Sequence, residues 1–156
     1  DHKLKTAQIC GATHAVNCKQ QNLEEELLTI LGTPEVDVVI EGTGKAEVIE
    51  KAYKITSPNG KCILFGVMRF DQKASINTFP LHLGKSLSGS EGGQSVPDVD
   101  IPKYLKMMDG NLFSLNHFIS HRYRLDDINK GISAMREGEA LHSIIQHNPF
   151  QQQQFS

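Results

Sequence analysis

One stretch constrains this chain more than any other: Val36-Asp37-Val38-Val39-Ile40-Glu41-Gly42-Thr43-Gly44, a β-branched run that stops at two glycines. Valine and isoleucine without polar alternation imply a strand covered on both faces, the condition of a central strand in a helix-flanked parallel sheet. Gly42 and Gly44 let the backbone turn sharply and approach a bulky group, and Thr43 offers a hydroxyl beside them. Ligands of open α/β sheets sit beyond the carboxyl ends of such strands. The loop after Glu41 is therefore read as a ligand loop or as a tight strand-to-helix turn, and this stretch alone leaves both open.

The flanking sequence alternates helix and strand signals. Leu4, Ala7, Ile9 and Cys10 form an apolar helical stripe ending at Gly11, and Ala15-Val16-Asn17 is long enough for a short strand. Asn22 with Glu25 makes a capping box for a helix whose Leu23, Leu27, Ile30 and Leu31 share a face; Gly32 and Pro34 stop it. After the central strand come a helix over 46–56, a turn at Pro58-Asn59-Gly60, and a second apolar strand from Lys61 to Val67. Ala74-Ser75-Ile76-Asn77 reads as an edge or excursion, residues 85–90 as a strand, and Glu91-Gly92-Gly93-Gln94-Ser95 as a loop that is flexible or touches a ligand. Asp100 is the expected N-cap of a helix carrying Ile101, Leu105 and Met108, ended by Gly110. A strand at 118–123, a helix with Ile128, Ile132 and Met135 facing inward, and a strand at 141–146 complete the pattern. Such alternation predicts an α/β fold, a doubly wound parallel sheet with helices on both faces. Residues 1–147 form the expected domain, and the glutamine-rich 148–156 a disordered tail or appended remnant.

The 156 residues suffice for one core, and a net charge of −2 gives no reason to expect nucleic acid or an anionic membrane as partner. No apolar segment reaches the roughly 18 residues that span a bilayer. A small-molecule ligand and a cytoplasmic location are the expectation. Cys10, Cys18 and Cys62 are odd in number and widely spaced, which fits reduced thiols. His117 and His121 on a strand would lie about 13 Å apart, too far to share a zinc whose ligands stand at about 2 Å. No P-loop, nucleophile elbow or H-E-x-x-H motif occurs.

The motifs also fall in a telling order: Lys3-Leu4, Gly11-Ala12-Thr13-His14-Ala15-Val16-Asn17, Val36 through Gly44, Gly60-Lys61, Gly89-Ser90-Glu91-Gly92-Gly93, and Asp127-Ile128-Asn129 through Arg136-Glu137-Gly138-Glu139. From about Lys3 to Gln146 the chain resembles the cofactor-binding half of zinc-type, medium-chain alcohol dehydrogenases. The resemblance implies an incomplete Rossmann-like sheet, because the family's G-x-G-x-x-G fingerprint does not occur here and is expected upstream of Asp1. The acid that binds the adenosine ribose falls there too, so Asp1 is not assigned to that role. It implies NAD or NADP as cofactor, with Lys3 reaching the adenosine ribose and Gly42, Thr43 and Gly44 passing under the other ribose. Phe65, Gly66 and Val67 match the segment that meets the nicotinamide carboxamide, and Ser90 and Glu91 match a loop that also approaches it. Two positions depart from the family: Glu91 replaces an apolar or aromatic residue, and His142 stands where many members carry an arginine for the pyrophosphate. Weakened or altered cofactor binding follows from those departures.

Zinc and the substrate, a small alcohol or aldehyde, belong in the resemblance to a catalytic half that this sequence lacks. The chain is thus expected to be a fragment inactive alone, with no catalytic or metal-binding residue of its own. The resemblance further implies a homo-oligomer, formed by two-fold pairing of the edge near Ile76. The alternative expectation is a non-catalytic Rossmann-like module that acts through self-association.

Overall fold

The computed structural model describes residues 2–110 and 114–147. In chain order its regular elements are α1 (His2–Ile9), α2 (Leu23–Leu31), β1 (Val36–Glu41), α3 (Ala46–Ile55), β2 (Thr56–Leu64), β3 (Ser86–Gly89), α4 (Pro97–Asp109), β4 (Ile119–Arg124), α5 (Ile128–Arg136) and β5 (His142–Gln146). They fall into two compact units, one of Cys18–Asp100 and one of Asp1–Asn17 with Ile101–Ser156. The tail expected at 148–156 lies outside the described residues.

In the Cys18–Asp100 unit, α2 starts where its cap predicts. Asn22 Oδ1 accepts from the Glu24 amide at 3.0 Å, and Asn22 Nδ2 donates to Glu25 at 3.3 Å. Gly32, with φ 73°, closes the helix by donating its N–H to Leu28 O. The strands are parallel and ordered β1-β2-β3. β2 leaves α3 directly and includes Pro58-Asn59-Gly60, read from sequence as a turn. Both descriptions hold, because β1 advances from Val36 to Val38 while β2 advances from Thr56 to Lys61, so the turn residues form a bulge in the ladder. Gly60 is needed there, since a Cβ would sit 2.7 Å from Asp37 O.

The core joins Ala52 and Tyr53 of α3 to Cys62 of β2, with Val39, Leu64, Ile76 and Leu87 packed around them. Val39 faces this cluster, whereas Val38 and Ile40 are 56% and 66% exposed. The expectation that β1 is covered on both faces is therefore corrected. α3 packs on one face of β1, and the face carrying Val38 and Ile40 is open to solvent; among the described residues β1 pairs only with β2, so its outer ladder edge is also unpaired, as a sheet without its first strand would leave it. Residues 15–17 likewise belong to no strand, because so short a run stays regular only within a ladder. Residues 74–77 are not a strand within the chain: Ser75 donates its N–H to Glu50 at 2.7 Å, and Ile76 packs on the core.

In the second unit β4 and β5 pair in parallel and α5 packs on both. Gly131 of α5 lies against the Tyr123 ring, where a Cβ would be 3.0 Å from a ring carbon. Phe118, expected to open the strand, instead ends the 3-10 turn Leu115–Phe118. α4 begins at Pro97, ahead of the expected cap at Asp100, whose carboxylate instead accepts from the Val96 amide at 2.8 Å. Proline suits a helix start, where its missing N–H costs nothing. Among the described residues no helix is long and apolar enough to cross a membrane.

Candidate functional site

At the carboxyl ends of β1 and β2, two loops meet over a buried acid. Glu41, 2% exposed, closes β1 and turns its carboxylate onto the next loop: Thr43 donates its N–H and its hydroxyl to Oε1, and Gly44 donates its N–H at 3.2 Å. Burial raises the Glu41 pKa, but the hydrogen bonds from Thr43 and Gly44 outweigh it and hold the carboxyl below its ordinary value. The Glu41 carbonyl in turn accepts from the amides of Phe65 at 2.8 Å and Gly66 at 2.9 Å. One residue thus clamps both loops, through its side chain on one and its backbone on the other. The sequence signal for it was an acid ending an apolar run just before Gly-Thr-Gly, and reasoning from the glycines alone passed it over.

The glycines act between the loops. A Cβ on Gly66 would lie 2.4 Å from Gly44 N and 2.5 Å from Gly42 C; one on Gly44, at φ 66°, would lie 2.4 Å from Val67 O. The bulky group that Gly44 approaches is therefore the backbone of residues 67–68, and for Gly42 it is the Phe65 ring. The Thr43 hydroxyl, read from sequence as available, is corrected as well: it donates to Glu41 and accepts from the Lys45 amide at 3.2 Å. What stands out of this sealed junction is the Phe65 ring and Val67, 92% exposed. The junction thus presents exposed apolar side chains of the β2 loop beside the 42–44 loop.

The remaining expected site residues divide. Ser90 joins the junction, donating its N–H to Leu64 O at 2.9 Å, and its Oγ accepts from Gly93 at 3.0 Å. Glu91 follows it and is exposed. Lys3 lies on α1 of the other unit with its side chain exposed, and His142 opens β5. Among the described residues no group of three His, Cys, Asp or Glu could hold a metal ion, so the side chains at hand do not fit a zinc.

Beside the junction, sequence reasoning missed a cavity of about 440 Å³ along β1, walled mainly by Leu23, Val39, Ile40, Val48, Ala52 and Ile55, with Glu41 and Thr43 also lining it. Its walls come from α2, β1 and α3, so no local motif marks it.

The sequence profile of the zinc-binding dehydrogenase family matches residues 1–110. The S-(hydroxymethyl)glutathione dehydrogenase of Paracoccus denitrificans is 30% identical over 153 residues, which cover 93% of this chain and 40% of that protein. Alcohol dehydrogenase class-2 isozyme 2 of Oryctolagus cuniculus is 27% identical over 146 residues, 92% of this chain and 38% of that one. The crystal structure of benzyl alcohol dehydrogenase from Acinetobacter calcoaceticus superposes with a TM-score of 0.83 at 26% identity, covering 94% of this chain and 40% of its own. The chain thus spans about two fifths of the length of the curated relatives it matches. With a parallel α/β sheet, loops sealed by glycine at its carboxyl ends and a profile match over most of its length, the chain belongs to the zinc-binding dehydrogenase family.

Proposed function

We propose that this chain is the cofactor-binding portion of an alcohol dehydrogenase-like oxidoreductase, holding NAD or NADP for hydride transfer with a small alcohol or aldehyde. The observation that carries this reading is the junction of the two loops. It is closely packed, lies where α/β sheets bind ligands, and presents Phe65 and Val67 outward. In this reading Gly42, Thr43 and Gly44 run under the ribose; since the Thr43 hydroxyl is held by Glu41, the loop contacts the ribose through its backbone. Phe65, Gly66 and Val67 lie along the nicotinamide, with Ser90 and Glu91 near it. The cofactor supplies the hydride chemistry and the protein its orientation. Zinc, which polarises the substrate oxygen in such reactions, would come from elsewhere in a longer polypeptide. Cys10 and Cys62, in no disulfide, suit a reducing compartment such as the cytoplasm.

NADH fluorescence titration tests the reading. Gly44→Val is a poor probe because it would move the Val67 backbone, so the informative variants are at exposed side chains. Val67→Asp should leave circular dichroism unchanged and weaken NADH about tenfold, by setting a carboxylate in an apolar contact. Unchanged affinity would remove this surface from the site. Alcohol-linked turnover by this chain alone, above a heat-killed control, would refute its role as the cofactor portion only.

A second reading, a module acting by self-association, is favoured by the open apolar edge of β1. Pairing between copies is proposed at Ile76 also, where residues 74–77 are uncommitted to either sheet. Sedimentation of Ile76→Pro, with Ile76→Val as the packing control, should show a shift toward monomer in the proline variant alone. A wild type already monomeric at high micromolar concentration rules this out.

A further inference from the structure

A second cavity, of about 390 Å³, shares no lining residue with the first. Glu50 and Tyr53 of α3, Ser75, Ile76, Pro80 and Lys85 contribute to its wall. Lys85 is the unusual member, being only 9% exposed. Its backbone is held by the end of the 3-10 turn Phe79–Leu83: the Lys85 N–H donates to Pro80 O at 3.2 Å, after Gly84 at φ 106°. Its Nζ donates to Tyr53 O at 3.1 Å and stands 4.9 Å from the centre of the Tyr53 ring.

These contacts leave the ammonium incompletely served. Lysine carries three N–H donors, and the Tyr53 carbonyl takes one. Among the described residues no carboxylate comes within ion-pairing distance of Lys85. Glu50 lines the same cavity, but its Oε1 accepts from the Ser75 amide. The Tyr53 hydroxyl is buried and has no hydrogen-bond partner. A buried cation without a counter-charge is costly, and an anion that enters beside it offsets that cost through charge-assisted hydrogen bonds.

We infer that this cavity binds a small organic carboxylate, whose oxygens take the free donors of Lys85 while its apolar body lies against Ile76 and Pro80. The site uses none of the residues assigned to the cofactor, so either assignment can fail without the other.

Benzoate is the probe, followed by amide chemical shifts in the whole chain, with benzyl alcohol as the neutral analogue and inorganic phosphate as the anion without an apolar body. Benzoate should move the amides of Tyr53, Ile76 and Lys85 saturably. Lys85→Met should weaken it at least about tenfold, the loss expected for a charge-assisted hydrogen bond. Glu50→Gln keeps an oxygen for Ser75 and removes a repelling charge, so it should strengthen benzoate about threefold. That variant decides the matter if Lys85→Met fails to fold. Absence of saturable shifts, equal binding of benzyl alcohol, stronger binding of phosphate, or no gain in Glu50→Gln would each overturn the assignment.

Discussion

Replacing Glu41 tests whether the loop junction is held by its buried acid or only by sheet register. Glu41→Ala removes the acceptor for three donors: the Thr43 amide, the Thr43 hydroxyl and the Gly44 amide. Thr43 is exposed and can turn to water, but Gly44 is buried and cannot. One stranded buried amide plus the loss of charge-assisted bonds gives a destabilisation of about 3 kcal/mol. Glu41→Gln should cost less, about 1.5 kcal/mol, because an amide oxygen can replace Oε1 while its NH₂ faces the Gly44 amide in the place of Oε2. The pH dependence separates charge from shape. The folded carboxyl lies below its ordinary value, so its contribution is fully present above the unfolded pKa of about 4.3 and is lost as pH falls through the lower folded value. Urea midpoints for wild type should therefore fall between about pH 5 and about pH 3 by an increment that Glu41→Gln lacks. Amide exchange at Gly44 should accelerate in Glu41→Ala by a matching factor, on the order of a hundredfold. If Glu41→Ala stays within about 0.5 kcal/mol of wild type and Gly44 exchange is unchanged, the clamp has no energetic role.

Gly66→Ala drives a methyl into the backbone of 42–44 and should cost about 2 kcal/mol with a parallel loss of NADH affinity, whereas Gly89→Ala, with nothing within 4 Å of its Cβ, should be neutral or slightly stabilising by urea titration. A native-state thiol titration should count Cys10 and Cys18 but not Cys62, which is fully buried and whose thiol pKa is pushed up mainly by that burial; prompt reaction of all three would contradict the packing. Asn22→Ala removes the N-cap of α2 and should lower stability by about 1 kcal/mol, with Asn22→Ser restoring most of it.

How far the sequence reaches is clearest at β1 and its loop. Composition and periodicity were enough to mark Val36–Glu41 as a parallel strand, α2 with its Asn22 cap, α3, and the two loops at the strand ends, because each rests on contacts within a few residues. The same reasoning assumed that a continuous apolar run is covered on both faces, and there it failed. Coverage depends on which elements pack on each face, and α3 covers only one face of β1; whether a run as short as 15–17 becomes a strand depends on a ladder partner that none of the described residues supplies. The glycines show the same division: Gly42, Gly44 and Gly66 are legible as points of close approach, but that they approach one another is a fact of two strands lying side by side. Glu41 follows from both. Its place at the end of the strand is local, while its burial and its hold on the Phe65 loop exist only once β2 has paired with β1. The Lys85 cavity belongs wholly to tertiary structure, since α3, the Ile76 segment and the turn before Lys85 meet only when the sheet brings residues from 50 to 85 around one core.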